Sequence, residues 1–532
     1  MKGKAYWPKN LEQWTLAYFI LPWPIFFFGY FQWPWAVQLT LLWGFLFKRA
    51  WDFYATYQSN FSLPHLSRWT WKIIIFCLLV WVLLSGADGF LFHQNGDYEK
   101  HNAMLTSLVS YPWPVAYRWP EGIDAPSDLK DTMYLTYYFA IYLPAALMGK
   151  FFGLVVARIV FALEVFAGVL LAWIWFLRFL GKFKWWILLI FIFASGMDLV
   201  GHWIMHSLNL MDGVGHHEWW AQYVFWSYQS QTTQLFWVPQ HGITGWILAS
   251  VFLDFAWPRK DGAVLKGWPC TWLLLTLIWS PFAVLGSVPL VALIFLMRLY
   301  PQAFQDKGFW RHPCFKNIIW SDVFASLIAL IPILIFFGGD VSVKPNQPFW
   351  KVHNPYEYWP KYVVFCFVEF GAFTYFMLPM IKERLEKNYY RLMILIIVML
   401  MLFPWYYFGA YNDFSMRSSI PWLFLLWLMV AKTLLIQPEP VFFWPRRHLV
   451  LLLLIGAMTP LCEISRAVRD RGAKMPYLNI TQIRAMVAEQ YFSYSRSLFG
   501  RMFAKKLDPQ VDLPGVMATD LKNNYRQLRW TD

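Results

Sequence analysis

The run LVVARIVFALEVFAGVLLAWIWFLR at 154–178 is long enough to cross a bilayer as one helix, and only Arg158 and Glu164 interrupt it before Arg178. In lipid no water is present to bond peptide groups, so such a run folds as a helix that satisfies its own backbone. Comparable runs recur near 15–32, 35–47, 73–87, 185–203, 238–256, 269–285, 286–299, 317–338, 361–381, 392–410, 419–436 and 448–464. The expected fold class is therefore an all-α, polytopic transmembrane helix bundle of about thirteen membrane segments, several of them shorter than the ~20 residues that cross unaided. With 58% hydrophobic and 14% charged residues over 532 positions, a water-soluble globular domain is excluded. The 35 Trp, 28 Tyr and 49 Phe, many beside Pro as in Pro22-Trp23-Pro24, suit the headgroup level. The basic start MKGKAYWPKNLEQW runs into apolar sequence without a small-residue cleavage motif, so no removable signal peptide is expected.

A net charge of +14 raises nucleic acid as a partner, so the placement of the charges decides. The basic clusters fall in alternate loops, among them Lys48/Arg49/Arg68/Lys72, Arg178/Lys182/Lys184, Lys382/Arg384/Lys387/Arg391 and Arg446/Arg447. By the positive-inside rule these loops are cytoplasmic, which accounts for the basicity as topology and leaves no nucleic-acid surface. The outer side then holds 88–153, 204–237, 339–360, 409–418 and the tail from about 465; loop 204–237 contains no Lys or Arg. Full crossing by 132–150 would invert every later loop, so this segment is expected to lie in the outer interface, broken at Pro144 and Gly149. The five cysteines lie in or near membrane segments or on the cytoplasmic side, which offers no extracytoplasmic disulfide.

Where the third run surfaces, HQNGDYEKHN at 93–102 concentrates polar residues. Asn95-Gly96-Asp97 is a turn and N-cap signature, and helix is expected from Tyr98 to Leu108. Asp97, Lys100 and His101 then share one face at i, i+3 and i+4, beside Glu99. Two readings stay open: a helix cap with a local ion pair, or a catalytic group in which Asp97 is a general base with Glu99, Lys100 and His101 around it. A sugar hydroxyl is a poor nucleophile at neutral pH, and a positioned, partly desolvated carboxylate can take its proton during attack.

That acidic motif after a membrane segment, then a long outer loop with the in-plane YYFAIYLPAALMGKFFG, then VARIVFALEVFAGVLLAWIWFLRFLGK returning to a basic loop, resembles the GT-C superfamily of polyprenyl-phosphate-dependent glycosyltransferases over roughly residues 70–300. The resemblance implies a catalytic carboxylate in the first outer loop, fitted by Asp97 with Glu99 and Asp88 as lesser candidates. It also implies a polyprenyl-phosphate-linked sugar as donor, and an integral membrane protein, of a bacterial inner membrane, with its site on the extracytoplasmic side. The runs at 15–47 precede the family's first helix, so the chain divides into an N-terminal hairpin and linker (1–72), a GT-C-like module (73–464) and an extracytoplasmic helical tail (465–532), read as two amphipathic helices.

In the second outer loop Asp198, His202 and His206 are spaced i, i+4, i+8, followed by His216, His217, Glu218 and His241. Two alternatives stand: His202, His206, His216, His217 and Glu218 hold a divalent ion such as Mg or Mn, or these groups bond within a polar cavity; no HExxH-like set is present. Trp219, Trp220, Gln231, Gln240 and His241 supply stacking faces and hydroxyl partners for a glycan or glycolipid acceptor. In YNDFSMRSSIPW, 411–422, Arg417 is the one basic residue of its loop; it either forks onto a phosphate, with Asn412 and Asp413 beside it, or pairs with Asp413 four residues back. No phosphate loop, dinucleotide fingerprint or large cytoplasmic domain is present, so the donor is expected to be carried by lipid. A lipid-linked oligosaccharide polymerase or ligase, or a non-enzymatic lipid or glycan transporter, are the alternatives from other classes.

Overall fold

The computed structural model describes residues 10–117, 133–208, 218, 226–257, 268–303, 320–338, 346–352, 355–409, 412–437, 439–471, 492–494 and 497–505. Within them the chain is mostly helical, with a few short strands. Five helices are long and apolar enough to cross a membrane: Leu154–Leu180, Tyr358–Arg384, Lys387–Trp405, Asp413–Leu434 and Pro440–Arg469. The pair Trp185–Phe193 and Asp198–Ser207, bent by 44°, makes up to six.

About thirteen segments were expected, and local chemistry explains much of the difference. The run 15–32 is split into Leu11–Ile20 and Pro22–Tyr30, because Pro22 and Pro24 open a new helix. The runs 269–285 and 286–299 are redistributed: the chain breaks at Leu277–Ser280, ahead of Pro281, between helices Trp268–Thr276 and Pro281–Ala303. The run 238–256 is the helix Pro239–Ala256, whose Gln240, His241, Thr244 and Asp254 dilute its apolar character.

Every residue of Pro239–Ala256 is buried, and this helix forms the axis of the bundle. Leu154–Leu180, Pro281–Ala303 and Ile420–Leu434 pack around it. The last is seated by two glycines: a Cβ on Gly245 would lie 2.5 Å from Ile420, and one on Gly286 only 1.9 Å from the Ser418 carbonyl oxygen. No side chain fits there, so the 413–420 segment is pressed against both neighbours. Asp413–Leu434 is accordingly the innermost long apolar helix, 94% buried over its apolar window, whereas Pro440–Arg469 is peripheral at 28%.

The N-terminal hairpin is stitched into this bundle. Buried indole N–H groups need acceptors, and Trp23 finds the Leu275 carbonyl at 2.9 Å while Trp175 finds the Thr15 hydroxyl at 3.0 Å. Trp272 donates to the Tyr54 hydroxyl at 2.8 Å, and Glu12 pairs with Arg178 at 2.9 Å.

The apolar helix Ala140–Phe152 is too short to cross; at 1.5 Å per residue it covers roughly 20 Å of a hydrocarbon core about 30 Å thick. Gly153, at φ +86, turns the chain directly into Leu154–Leu180. Ahead of it, strand Met133–Leu135 pairs antiparallel with both Ala116–Tyr117 and Phe492–Tyr494. Two amphipathic helices are expected in the C-terminal segment, most of which lies outside the described residues; the described stretches beyond Arg471 are the strand Phe492–Tyr494 and 497–505 with a π-helical turn, Phe499–Phe503, bridged to the hairpin through Phe31 and Ala504. Phe492-Ser493-Tyr494 alternates polar and aromatic residues, which suits an added edge strand better than a helix.

Basic helix ends gather at one end of the bundle: Lys432 lies over the Tyr389 ring, Arg384 pairs with Glu439, and the Arg446 guanidinium reaches the Ile436 carbonyl. A membrane-impermeant maleimide should therefore label Leu91→Cys and Lys387→Cys from opposite sides of sealed vesicles. Labelling of both from one side would overturn this topology.

Candidate functional site

The polar stretch after the Arg68–Leu84 helix is fixed by its own side chains. Gln94 donates to the Gly86 carbonyl at 3.0 Å, Asn102 donates to Gln94 at 2.8 Å, and the Asn95 amide donates to the Phe236 carbonyl at 2.6 Å. The Asn95 side-chain oxygen accepts from the Asp97 N–H at 3.0 Å, so Asn95 performs the turn and capping role. The helix runs Asp97–Ser110, one residue earlier than expected, and the Asp97 carboxylate caps nothing. It faces Lys100, with Nζ 3.3 Å from Oδ2; 33% of the Asp97 side chain is accessible against 8% for Lys100. The carboxylate, not the ammonium, is the more accessible member of the pair. Of the lesser candidates, Asp88 accepts from the Phe90 and Leu91 N–H groups and shapes its own turn, while Glu99 is half-buried on the same helix.

His101 is held at both ring nitrogens. Nε2 lies 2.8 Å from the Trp237 carbonyl, which only accepts, so Nε2 carries the proton and Nδ1 accepts from the Tyr142 hydroxyl. Burial and then the Lys100 charge push its pKa down to about 3, so the imidazole is neutral. Burial pushes the Asp97 carboxyl up, but Lys100 foremost, with Arg417 contributing, outweighs it and holds the group below the ordinary aspartate range. Burial likewise lowers the Lys100 ammonium, with Asp97 opposing and Arg417 reinforcing.

Arg417 comes from the opposite end of the sequence, yet its charge is felt at Asp97, Lys100 and His101. Its Nη2 pairs with Asp413 at 2.9 Å, and Nη1 donates to the Tyr138 hydroxyl at 2.6 Å and to His241 Nε2 at 3.1 Å. An arginine cannot accept, so His241 Nε2 is the acceptor, and its protonated Nδ1 donates to the Ser280 hydroxyl at 2.6 Å. Arg417 Nε is buried and has no hydrogen-bond partner among the described residues. Asn412, in the left-handed region at φ 53, accepts from the Ser415 N–H at 3.4 Å and serves as the cap of this short helix.

Asp97, Lys100, His101, His241, Asp413 and Arg417 thus form one electrostatic cluster, built from the first outer loop, the axial helix and the 413–420 segment. Tyr138, Tyr142 and Ser280 belong to it and were not singled out from sequence, although the quoted YYFAIY carries the first two. Burial pushes the Tyr138 hydroxyl up to about 12 and that of Tyr142 well above the usual range, so both remain protonated donors. Gln240 precedes His241, and Gln231 opens the helix Gln231–Trp237; both are completely buried, and none of their four amide atoms has a hydrogen-bond partner among the described residues.

Of the candidate metal ligands, His202, His206 and Glu218 are among the described residues. His202 is buried and His206 exposed on the helix Asp198–Ser207. Eight positions at 3.6 residues per turn drift by roughly 80°, which carries His206 off the face of Asp198. Asp198 accepts from Ser195 at 3.0 Å and Thr459 at 3.1 Å, while Glu218 accepts from the Ser230 N–H and the Thr233 hydroxyl, both at 2.9 Å. Burial, with Asp198 nearby, pushes the Glu218 carboxyl well up. No group of three His, Cys, Asp or Glu side chains that could hold a metal ion occurs among the described residues. His216, His217, Trp219 and Trp220 lie outside them.

Comparison with family models, curated proteins and solved structures finds no match to this chain.

Proposed function

We propose that the protein is an integral membrane glycosyltransferase that moves a sugar from a polyprenyl-phosphate donor to a glycan or glycolipid acceptor. The observation that carries this reading is an accessible carboxylate, Asp97, in one electrostatic cluster with a buried arginine, Arg417, whose Nε has no hydrogen-bond partner among the described residues. Glycosyl transfer needs both: a base where the acceptor hydroxyl enters and a cation where the phosphate departs. Asp97 takes the hydroxyl proton as the acceptor oxygen bonds to the anomeric carbon. The bond from that carbon to the phosphate oxygen breaks, and polyprenyl phosphate leaves with the electron pair. Arg417, steadied by Tyr138, His241 and Asp413, neutralises the departing phosphate, with Lys100 as the second cation. His101, bonded at both nitrogens, orients the loop and transfers no proton. The order of motifs that resembles the GT-C superfamily agrees with this assignment.

Lys100 gives the reading a pH signature. In the native chain Asp97 titrates below the ordinary carboxylate range, so transfer persists to a lower pH than an unperturbed aspartate would allow. In Lys100→Met the foremost lowering influence is gone and the weaker pull of Arg417 is left against burial, so the carboxyl rises. The acid limb of the transfer rate should then move up by at least about one pH unit. The profile is measured with purified protein in lipid, a radiolabelled polyprenyl-phosphate sugar and an acceptor glycan. An unmoved limb would remove Asp97 from the base role, and absence of transfer by the native chain with every such donor would remove the glycosyltransferase reading.

A further inference from the structure

At the end of the bundle that carries the basic loops, the start of the peripheral Pro440–Arg469 helix borders an open surface cavity of about 510 Å3 lined by Glu439, Pro440, Phe442, Phe443 and Arg446. Its acid is already neutralised, since Glu439 pairs with Arg384. Arg446 donates from Nη1 to the Ile436 carbonyl at 2.9 Å, just past the end of the Ile420–Leu434 helix. That bond fixes the guanidinium at the wall and leaves Nε and Nη2 for a ligand. Two further guanidinium groups stand close by, Arg384 over the Phe442 ring at 5.7 Å and Arg447 over the Phe443 ring at 3.9 Å. Around the mouth, Val441, Phe443 and Trp444 are exposed on the least buried of the long apolar helices.

These features describe an anion with a greasy extension. Three arginines against one carboxylate attract negative charge, and a planar guanidinium held at one nitrogen forks readily onto phosphate oxygens. The exposed aromatic and aliphatic rim belongs in the interface and acyl region, where a soluble anion gains nothing and a lipid tail lies alongside. We propose that this cavity binds the headgroup of an anionic phospholipid, with Arg446 as its anchor and Arg384 and Arg447 as flanking cations. The site stands at the opposite end of the bundle from Asp97 and Arg417 and does not depend on the transfer reaction.

The full chain is placed in phosphatidylcholine nanodiscs with and without phosphatidylglycerol, and the lipid retained on release is counted by native mass spectrometry. The native protein should keep phosphatidylglycerol in preference to phosphatidylcholine. Arg446→Gln should weaken that retention about tenfold, as loss of a charge-assisted fork does. Glu439→Gln removes the opposing charge and should strengthen it roughly fivefold; because it acts in the other direction, it reads the site even if the Arg446 variant folds poorly. Equal retention of the two lipids, or unchanged retention in both variants, would overturn the proposal. Displacement of the lipid by soluble glycerol phosphate would overturn it as well, by assigning the cavity to a soluble anion.

Discussion

Asp97→Asn should lower sugar transfer by roughly a hundredfold to ten-thousandfold, as removal of a general base does, while the protein still inserts and still binds donor. The amide is nearly isosteric, and the structure removes the main reason to expect a folding defect: the bonds that set this turn come from Gln94, Asn95 and Asn102, not from Asp97. One confounding effect remains, because the substitution leaves the buried Lys100 ammonium without its partner. A stranded charge can displace the helix and reduce activity without any catalytic role for Asp97. The double variant Asp97→Asn with Lys100→Met separates the two. If the loss came from the unpaired ammonium, the double variant recovers to the level of Lys100→Met alone, which carries the same loss of the second cation; if Asp97 is the base, the double variant stays far below that level. Restoration would reduce Asp97 to a structural partner of Lys100 and make Glu99 the next carboxylate to test.

The parts of this cluster were legible in the sequence to the extent that local geometry governs them. The i, i+3, i+4 spacing of Asp97, Lys100 and His101 placed them together, and the Asp413–Arg417 pair follows from one helical turn. What hydropathy could not supply was the meeting of these two stretches, which depends on Gly245 and Gly286 admitting the 413–420 segment against its neighbours. Ser280 was hidden for a related reason: the runs around it were divided at 285–286, whereas the break ahead of Pro281 brings its hydroxyl to His241. Tyr138 and Tyr142 stood in an aromatic segment that reads as interface anchoring, and only burial shows that their hydroxyls need partners. The same limits acted in the other direction at Asp198, His202 and His206. Sequence spacing suggested one shared face there, but the helical drift over eight positions leaves His206 exposed while Asp198 is bonded within the protein. Among the described residues, apolar runs were shortened or redistributed where prolines and polar residues interrupt them.

Arg417→Lys should raise the donor concentration needed for half-maximal transfer and lower kcat/KM by roughly ten- to a hundredfold, matching the ~1.5–3 kcal/mol typical of hydrogen bonds to charged groups. The guanidinium divides its work: Nη2 holds Asp413, Nη1 holds Tyr138 and His241, and Nε is left over, buried and unbonded. An ammonium has the same charge but a single nitrogen, so it cannot keep these partners and also offer a planar fork to phosphate. If Arg417 served only as the partner of Asp413, the lysine would keep the ion pair one helical turn away and transfer would change little. Turnover alone does not separate lost contact with donor from a displaced Tyr138, so binding of polyprenyl phosphate without sugar is measured beside it. Tyr138→Phe removes only the hydroxyl that accepts from Nη1, and should weaken that binding less than Arg417→Lys does. Equal losses in the two variants would assign the effect to the arrangement of the cluster, and unchanged binding in the lysine variant would take Arg417 out of the phosphate site altogether.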